Sequence, residues 1–131
     1  MYEQETAGLI VRVAPAFLAE ESAPEESRFV WAYTIEIENR TPGSVQLLSR
    51  LWRITDENGL TQEVRGPGVI GQQPVIEPGE SFRYTSAAPL AAPSGVMVGA
   101  YSMQRVDDGE VFDINVPLFA LESPHRSRLA N

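Results

Sequence analysis

Between Arg28 and Asn39 the side chains alternate in character. Phe29, Trp31, Tyr33, Ile35 and Ile37 fall on one side, and Val30, Ala32, Thr34, Glu36 and Glu38 on the other. A period of two marks a β-strand with a bulky apolar row facing a core and an opposite face that turns polar toward its end. The spacing predicts a central strand with one wet face, reversed by the turn Asn39-Arg40-Thr41-Pro42-Gly43. Val45 to Thr55 reads as a second strand. It is apolar on both faces at first (Leu47, Leu48, Leu51) and alternates later (Trp52, Arg53, Ile54, Thr55). Asp56-Glu57-Asn58-Gly59 is a hairpin signal, since Asn-Gly accepts positive φ. Leu60 to Arg65 then forms a strand that runs into a glycine-rich segment.

The same reading extends to both ends. Ala7 to Ala19 is β-branched and interrupted by Pro15, which predicts a bent strand rather than a helix. Glu20 to Ser27 is acidic and proline-broken; a solvated loop outweighs a cation-binding patch there. Gln72 to Ile76 is short and extended, Glu77-Pro78-Gly79-Glu80 is a turn, and Ser81 to Ser86 a strand. A proline-rich connector is expected from Ala87 to Gly95. Val96 to Arg105 and Val111 to Val116 form a last hairpin around Asp107-Asp108-Gly109, extended by Pro117 to Leu121. No segment sustains helical periodicity. About seven or eight short strands, punctuated by ten prolines and ten glycines, predict an all-β fold. The expected architecture is an antiparallel two-sheet β-sandwich of fibronectin type III or immunoglobulin type. One domain is expected over residues 1–121, followed by a loose polar tail over 122–131.

Composition narrows the function more by exclusion than by indication. A chain of 131 residues is one domain by length. The net charge is −8, from 18 acids against 10 arginines and no lysine, so the basic footprint of a nucleic-acid binder is missing. There is no cysteine, which excludes disulfides and thiolate chemistry, and one histidine, His125, leaves a zinc or copper site short of ligands. No cofactor is expected. The first residues lack the basic and apolar regions of a secretory signal, and no apolar run reaches the roughly 18 residues that span a bilayer. A cytoplasmic protein without membrane insertion is the expectation.

Gly66-Pro67-Gly68-Val69-Ile70-Gly71 matches G-x-G-x-x-G, the dinucleotide fingerprint. That motif works by presenting a helix N-terminus to phosphates. Here Pro74 and Pro78 follow, so no helix can begin and the βαβ unit is absent. Two readings remain. One is an anion-binding loop of backbone N–H groups at Gly66, Gly68 and Gly71, helped by Arg65 and Arg83. The other, which is favoured, is a tight crossover that needs glycine for its geometry. Ser81, Thr85 and Ser86 have no nucleophile elbow and no nearby histidine or lysine in sequence. Asp107, Asp108, Glu110 and Asp113 are carboxylates of the type a hard cation takes, but a solvated hairpin turn explains them as well.

Leu48-Ser49-Arg50-Leu51-Trp52-Arg53-Ile54-Thr55-Asp56 and the run from Glu63 to Pro74 resemble the bacterial ApaG family. So do Pro78-Gly79-Glu80, Phe82-Arg83-Tyr84-Thr85-Ser86, Pro93-Ser94-Gly95-Val96-Met97, Phe112-Asp113-Ile114 and Pro117-Leu118-Phe119-Ala120-Leu121. The resemblance covers nearly the whole chain and implies a fibronectin type III-like sandwich. It also implies an association with cobalt and magnesium tolerance or efflux, and a pyrophosphate site at Gly66, Gly68 and Gly71. Similar domains are appended to F-box proteins and to a DNA-polymerase-delta-interacting protein, which implies a protein-interaction module. One departure is Ala87-Ala88, where the family often has Gly-Cys, so a thiol there cannot be essential to a shared activity. A protein that spans no membrane can join efflux only indirectly.

The leading expectation is therefore a non-enzymatic module that binds another protein through exposed strand edges and loops, with a homo-oligomer left open. The alternative is a small phosphate-containing ligand at the glycine loop. A divalent-cation site at Asp107, Asp108 and Asp113 ranks third.

Overall fold

The alternating stretch becomes the strand around which one sheet is laid. In the computed structural model, which describes residues 2–125, it is β3 (Phe29–Asn39), and its bulky row is buried from end to end. The other strands are β1 (Tyr2–Thr6), β2 (Leu9–Phe17), β4 (Val45–Asp56), β5 (Thr61–Pro67), β6 (Val75–Ile76), β7 (Ser81–Leu90), β8 (Ser94–Arg105) and β9 (Val111–Glu122). Every strand pairing is antiparallel. One sheet has the order β1-β2-β3-β7; the other runs β5-β4-β8-β9, with β6 beside β4. The acidic loop holds two short 3-10 turns, Ala19–Glu21 and Pro24–Glu26, and the described residues contain no α-helix.

The core lies between the sheets. Trp31, Tyr33, Ile35 and Ile37 of β3 meet Trp52 of β4, Tyr101 of β8, and Ile114 and Phe119 of β9. Trp52 makes edge-on contacts with Tyr33, Tyr101 and Phe119 at centroid separations of 5.4, 6.2 and 6.0 Å, an arrangement aromatic quadrupoles favour. Gly99 permits this packing, because a Cβ there would fall 2.6 Å from the Trp52 ring. The two-sheet sandwich is thus the predicted fold class.

Three details depart from the reading of the sequence. The chain begins with a strand the pattern did not predict: β1 folds back on β2 through Ala7 and Gly8, at φ 53° and 84°, a two-residue turn of the type whose twist suits a hairpin. Ala87 to Leu90 continues β7 instead of starting a connector, with Pro89 opposite Val30. Because β7 is an edge strand, proline's missing N–H is tolerated there. The strands number nine among the described residues, the additions being β1 and the two-residue β6. At the C-terminal end Glu122 closes β9, the Ser123 hydroxyl donates to the Pro93 carbonyl at 2.6 Å, and the His125 ring lies 6.0 Å from those of Phe17 and Phe29. The rest of the predicted tail, 126–131, lies outside the described residues.

The two long sides of the sandwich differ. On one, β1 closes against β9: the Asn115 N–H donates to the Thr6 hydroxyl and the Ala120 N–H to the Tyr2 hydroxyl, both at 3.2 Å. On the other, β5 and β7 are both edge strands, and the glycine-rich segment sits there.

Candidate functional site

The glycine segment is a tight hairpin. Val69 and Gln72 exchange two backbone hydrogen bonds at 2.8 Å, and the residues between them, Ile70 and Gly71, have φ 42° and 77°. Gly68, at φ 59°, donates its N–H to the Leu48 carbonyl at 2.8 Å, and a Cβ on it would run into the Gln72 carbonyl oxygen. Gly66 lies in β5 opposite Arg50, and a Cβ there would meet the guanidinium at 3.0 Å. Each glycine therefore has a steric or conformational reason to be glycine. An amide nest must aim its N–H groups outward at a ligand. Of the three expected donors, the Gly68 N–H is spent on the Leu48 carbonyl of β4, and the neighbouring Val69 and Gln72 N–H groups are spent on each other's carbonyls.

The structure also distributes the expected arginines. Arg65 points to solvent, with one Nη 3.5 Å from Glu63. Arg83 stands opposite Glu36 on the outer face of the other sheet, in a shallow hollow with Arg12 and Thr34. Its neighbour Tyr84 is the one that points inward. Arg83 is thus not brought to the glycine loop.

The cation at the loop is Arg50. Its Nη1 donates to the Pro67 carbonyl at 3.1 Å and to the Gly68 carbonyl at 2.9 Å, while the guanidinium lies against Gly66. Arg50 faces inward because the register of β4 shifts between Leu47 and Ser49, and from there Arg50, Trp52 and Ile54 share the core side. That inward alternation with Trp52 and Ile54 was the signal available in the sequence.

A cleft of about 200 Å³ opens beside it on the unclosed side of the sandwich. It is lined by Arg50 and Trp52, by Val69 to Gly71 of the hairpin, and by Tyr33, Tyr84 and Ser86 of the opposite sheet. Behind it the Tyr84 and Tyr101 hydroxyls share a hydrogen bond of 2.6 Å. Burial pushes the hydroxyl pKa values of Tyr33, Tyr84 and Tyr101 up, so all three stay protonated at neutral pH.

The carboxylates of the last hairpin are not gathered for a metal. Asp108 accepts the Glu110 N–H at 2.9 Å, closing its own turn, and Asp113 faces outward opposite Ser102. No group of three or more His, Cys, Asp or Glu side chains able to hold an ion occurs among the described residues, Asp107 included. No helix among them is long and apolar enough to cross a membrane.

Comparison with known proteins gives a consistent result. Residues 19–105 match the family model described as the ApaG domain. A protein from Maricaulis maris named Protein ApaG is 59% identical over 124 residues, covering 95% of each chain. One of the same name from Rhodospirillum centenum is 54% identical over 129 residues, covering 98% of each. A crystal structure of a Bordetella pertussis protein described as ApaA superposes with TM-score 0.85 at 43% identity, covering 89% of this chain and 94% of that one.

Proposed function

The chain belongs to the ApaG domain family, and on that premise we propose that it is a non-catalytic cytoplasmic module that binds another protein along the β5–β6 edge. The observation that carries this reading is Ile70. It is 53% exposed and stands at φ 42°, a conformation a β-branched side chain adopts only at a cost of about 1–3 kcal/mol. Glycine would hold the same turn without that cost, so the exposed isoleucine is kept for something other than the fold. It has company: among the described residues, four of the seven large exposed hydrophobics, Leu60, Val64, Ile70 and Val75, fall between Leu60 and Ile76, the others being Val106, Val111 and Leu118. The strand between them, β5, is an edge exposed along almost its whole length, which suits a partner that adds a strand and seats apolar side chains beside it. On this reading any part in cobalt or magnesium tolerance is exerted through the bound protein.

The test uses Ile70→Gly. Its thermal stability should equal or exceed that of the parent, by up to about 1 kcal/mol, because strain is relieved while the unfolded chain gains freedom. Affinity capture from the native cytoplasm, with label-free quantitation, should then show at least one protein retained by the parent and depleted for I70G. Identical capture by the two forms would overturn the assignment of this edge.

A further inference from the structure

We propose that β5 pairs with the β5 of a second copy of this chain, antiparallel across a two-fold axis at Val64, and so covers its own edge until another protein displaces it. The inference rests on the reading of β5 as the binding edge and names an occupant for the strand itself. Hydrogen-bond parity comes first. Gly68 donates its N–H to the Leu48 carbonyl and Asp56 to that of Leu60, and the register of β4 with β5 runs unbroken between those points. Bonded pairs in an antiparallel ladder recur at every second residue. Gln62, Val64 and Gly66 therefore turn N–H and C=O toward β4, while Thr61, Glu63 and Arg65 turn theirs to the open side. Pro67 falls in the outward set, where its missing N–H costs the ladder to β4 nothing.

Charge then selects the register. A two-fold pairing must centre on a residue, since a centre between two would set an outward residue against an inward one. Centred on Glu63 or Arg65, it would oppose two like charges at the axis. Centred on Gln62 or Gly66, it leaves both charges without an opposite partner. Centred on Val64, it sets Glu63 opposite Arg65 of the second copy and Arg65 opposite Glu63 of the second copy, each as a bonded backbone pair. Thr61 then faces Pro67 of the second copy, whose carbonyl accepts its N–H. On the other face the two Val64 side chains meet, in an unbonded pair with Cα atoms about 4.5 Å apart. Val64 is 38% exposed without that cover. Arg65 reaches the Glu63 of its own strand only at 3.5 Å and is 70% exposed, so turning it to the second copy gives up little. The other open edge lacks this match, because β7 carries Arg83 and no acid.

Stable interfaces bury about 1,200–2,000 Å² and one short strand pair covers less, so the dimer is weak, with a Kd near 0.1 mM expected. Sedimentation equilibrium of the purified full-length protein from about 10 μM to 1 mM measures it. That Kd places about one-seventh of the chains in dimers at the lower concentration and about four-fifths at the upper. Glu63→Arg apposes like charges and should weaken association about tenfold or more. The double variant E63R/R65E restores opposite charges and should recover association to within about threefold of the parent. With no other protein in the sample, a monomer at every concentration would overturn self-pairing and leave the capture comparison with I70G standing. Growth beyond dimers, equal association by parent and E63R, or a loss that E63R/R65E fails to recover would overturn it too, since an isologous contact closes at two chains.

Discussion

Asn39 shows how much one polar side chain can hold. It is fully buried at the end of β3, and its Nδ2 donates to the Gly43 and Ile76 carbonyls, both at 2.9 Å. Its Oδ1 accepts from the Thr41 N–H at 2.9 Å and the Thr41 hydroxyl at 2.7 Å. One amide thus fastens the β3–β4 turn and ties it to β6. Asparagine suits the place because a single planar group offers donors on one side and an acceptor on the other. Asn39→Ala leaves the buried Ile76 carbonyl and the Thr41 N–H without partners, while the Gly43 carbonyl keeps the Thr41 hydroxyl at 2.9 Å. At about 1–3 kcal/mol for such groups, partly relieved by water, a loss of roughly 2–4 kcal/mol is expected. Urea unfolding followed by tryptophan fluorescence measures it. A loss below about 1 kcal/mol would show that the turn stands without the amide.

At the scale of elements, the hairpin from Gly66 to Gln72 makes a claim that two substitutions separate. Gly68→Ala drives a methyl into the Gln72 carbonyl and must displace backbone, so a loss above about 2 kcal/mol is expected. Gly71→Ala meets open space and suffers only from φ 77°, a cost nearer 1 kcal/mol. Equal losses in the two variants, read from thermal midpoints, would contradict this account of the motif. The elements that were legible in the sequence owe it to uninterrupted alternation: β3 needed nothing more than its row from Phe29 to Ile37. Strand β1 was not legible, because of its inward-facing residues Tyr2, Gln4 and Thr6 only one is large and apolar. The end of β7 was obscured by Pro89, since a proline that breaks a central strand is harmless at an edge. Arg50 escaped notice for a related reason. The register shift after Leu47 changes which side of β4 faces inward, so Leu47, Leu48 and Leu51 read as apolar on both faces and hide an arginine that turns in. Arg83, which alternation alone places opposite to Tyr84, could have been set apart from the loop by the period of two.

For the molecule as a whole, acid is the condition that separates local ion pairing from net charge. Arg12 on β2 bonds Glu3 of β1 at 2.9 Å and Glu36 and Glu38 of β3 at 3.0 and 2.9 Å, and Arg40 closes the group on Glu38 at 2.8 Å, so one cluster laces three strands. Hydrogen bonds from Arg40 and then Arg12 hold the Glu38 carboxyl below its ordinary value of 4.5, and those same pairings raise both guanidinium groups. Glu63 is lowered likewise, by Arg53 first and Arg65 next. A carboxyl whose folded pKa lies below its unfolded one adds stability that is complete above the unfolded value and lost as pH falls through the folded one. The general charge acts differently. From neutral pH down to the isoelectric point near 4.6 the excess of acids is neutralised and self-repulsion fades, whereas below it positive charge accumulates. Above about pH 4.6 the paired carboxyls keep their full stabilisation and only the fading repulsion acts, whereas beneath it both effects lower stability. A thermal midpoint that is level or rises slightly from pH 7 to about 5, then falls steeply, is therefore expected. In Glu38→Gln the midpoint should be lower at pH 7 and the acid fall shallower, because the ion-paired carboxylate is already gone. If the two forms fell in parallel below pH 4.5, net charge alone would govern acid unfolding and the cluster on β1, β2 and β3 would have no part in it.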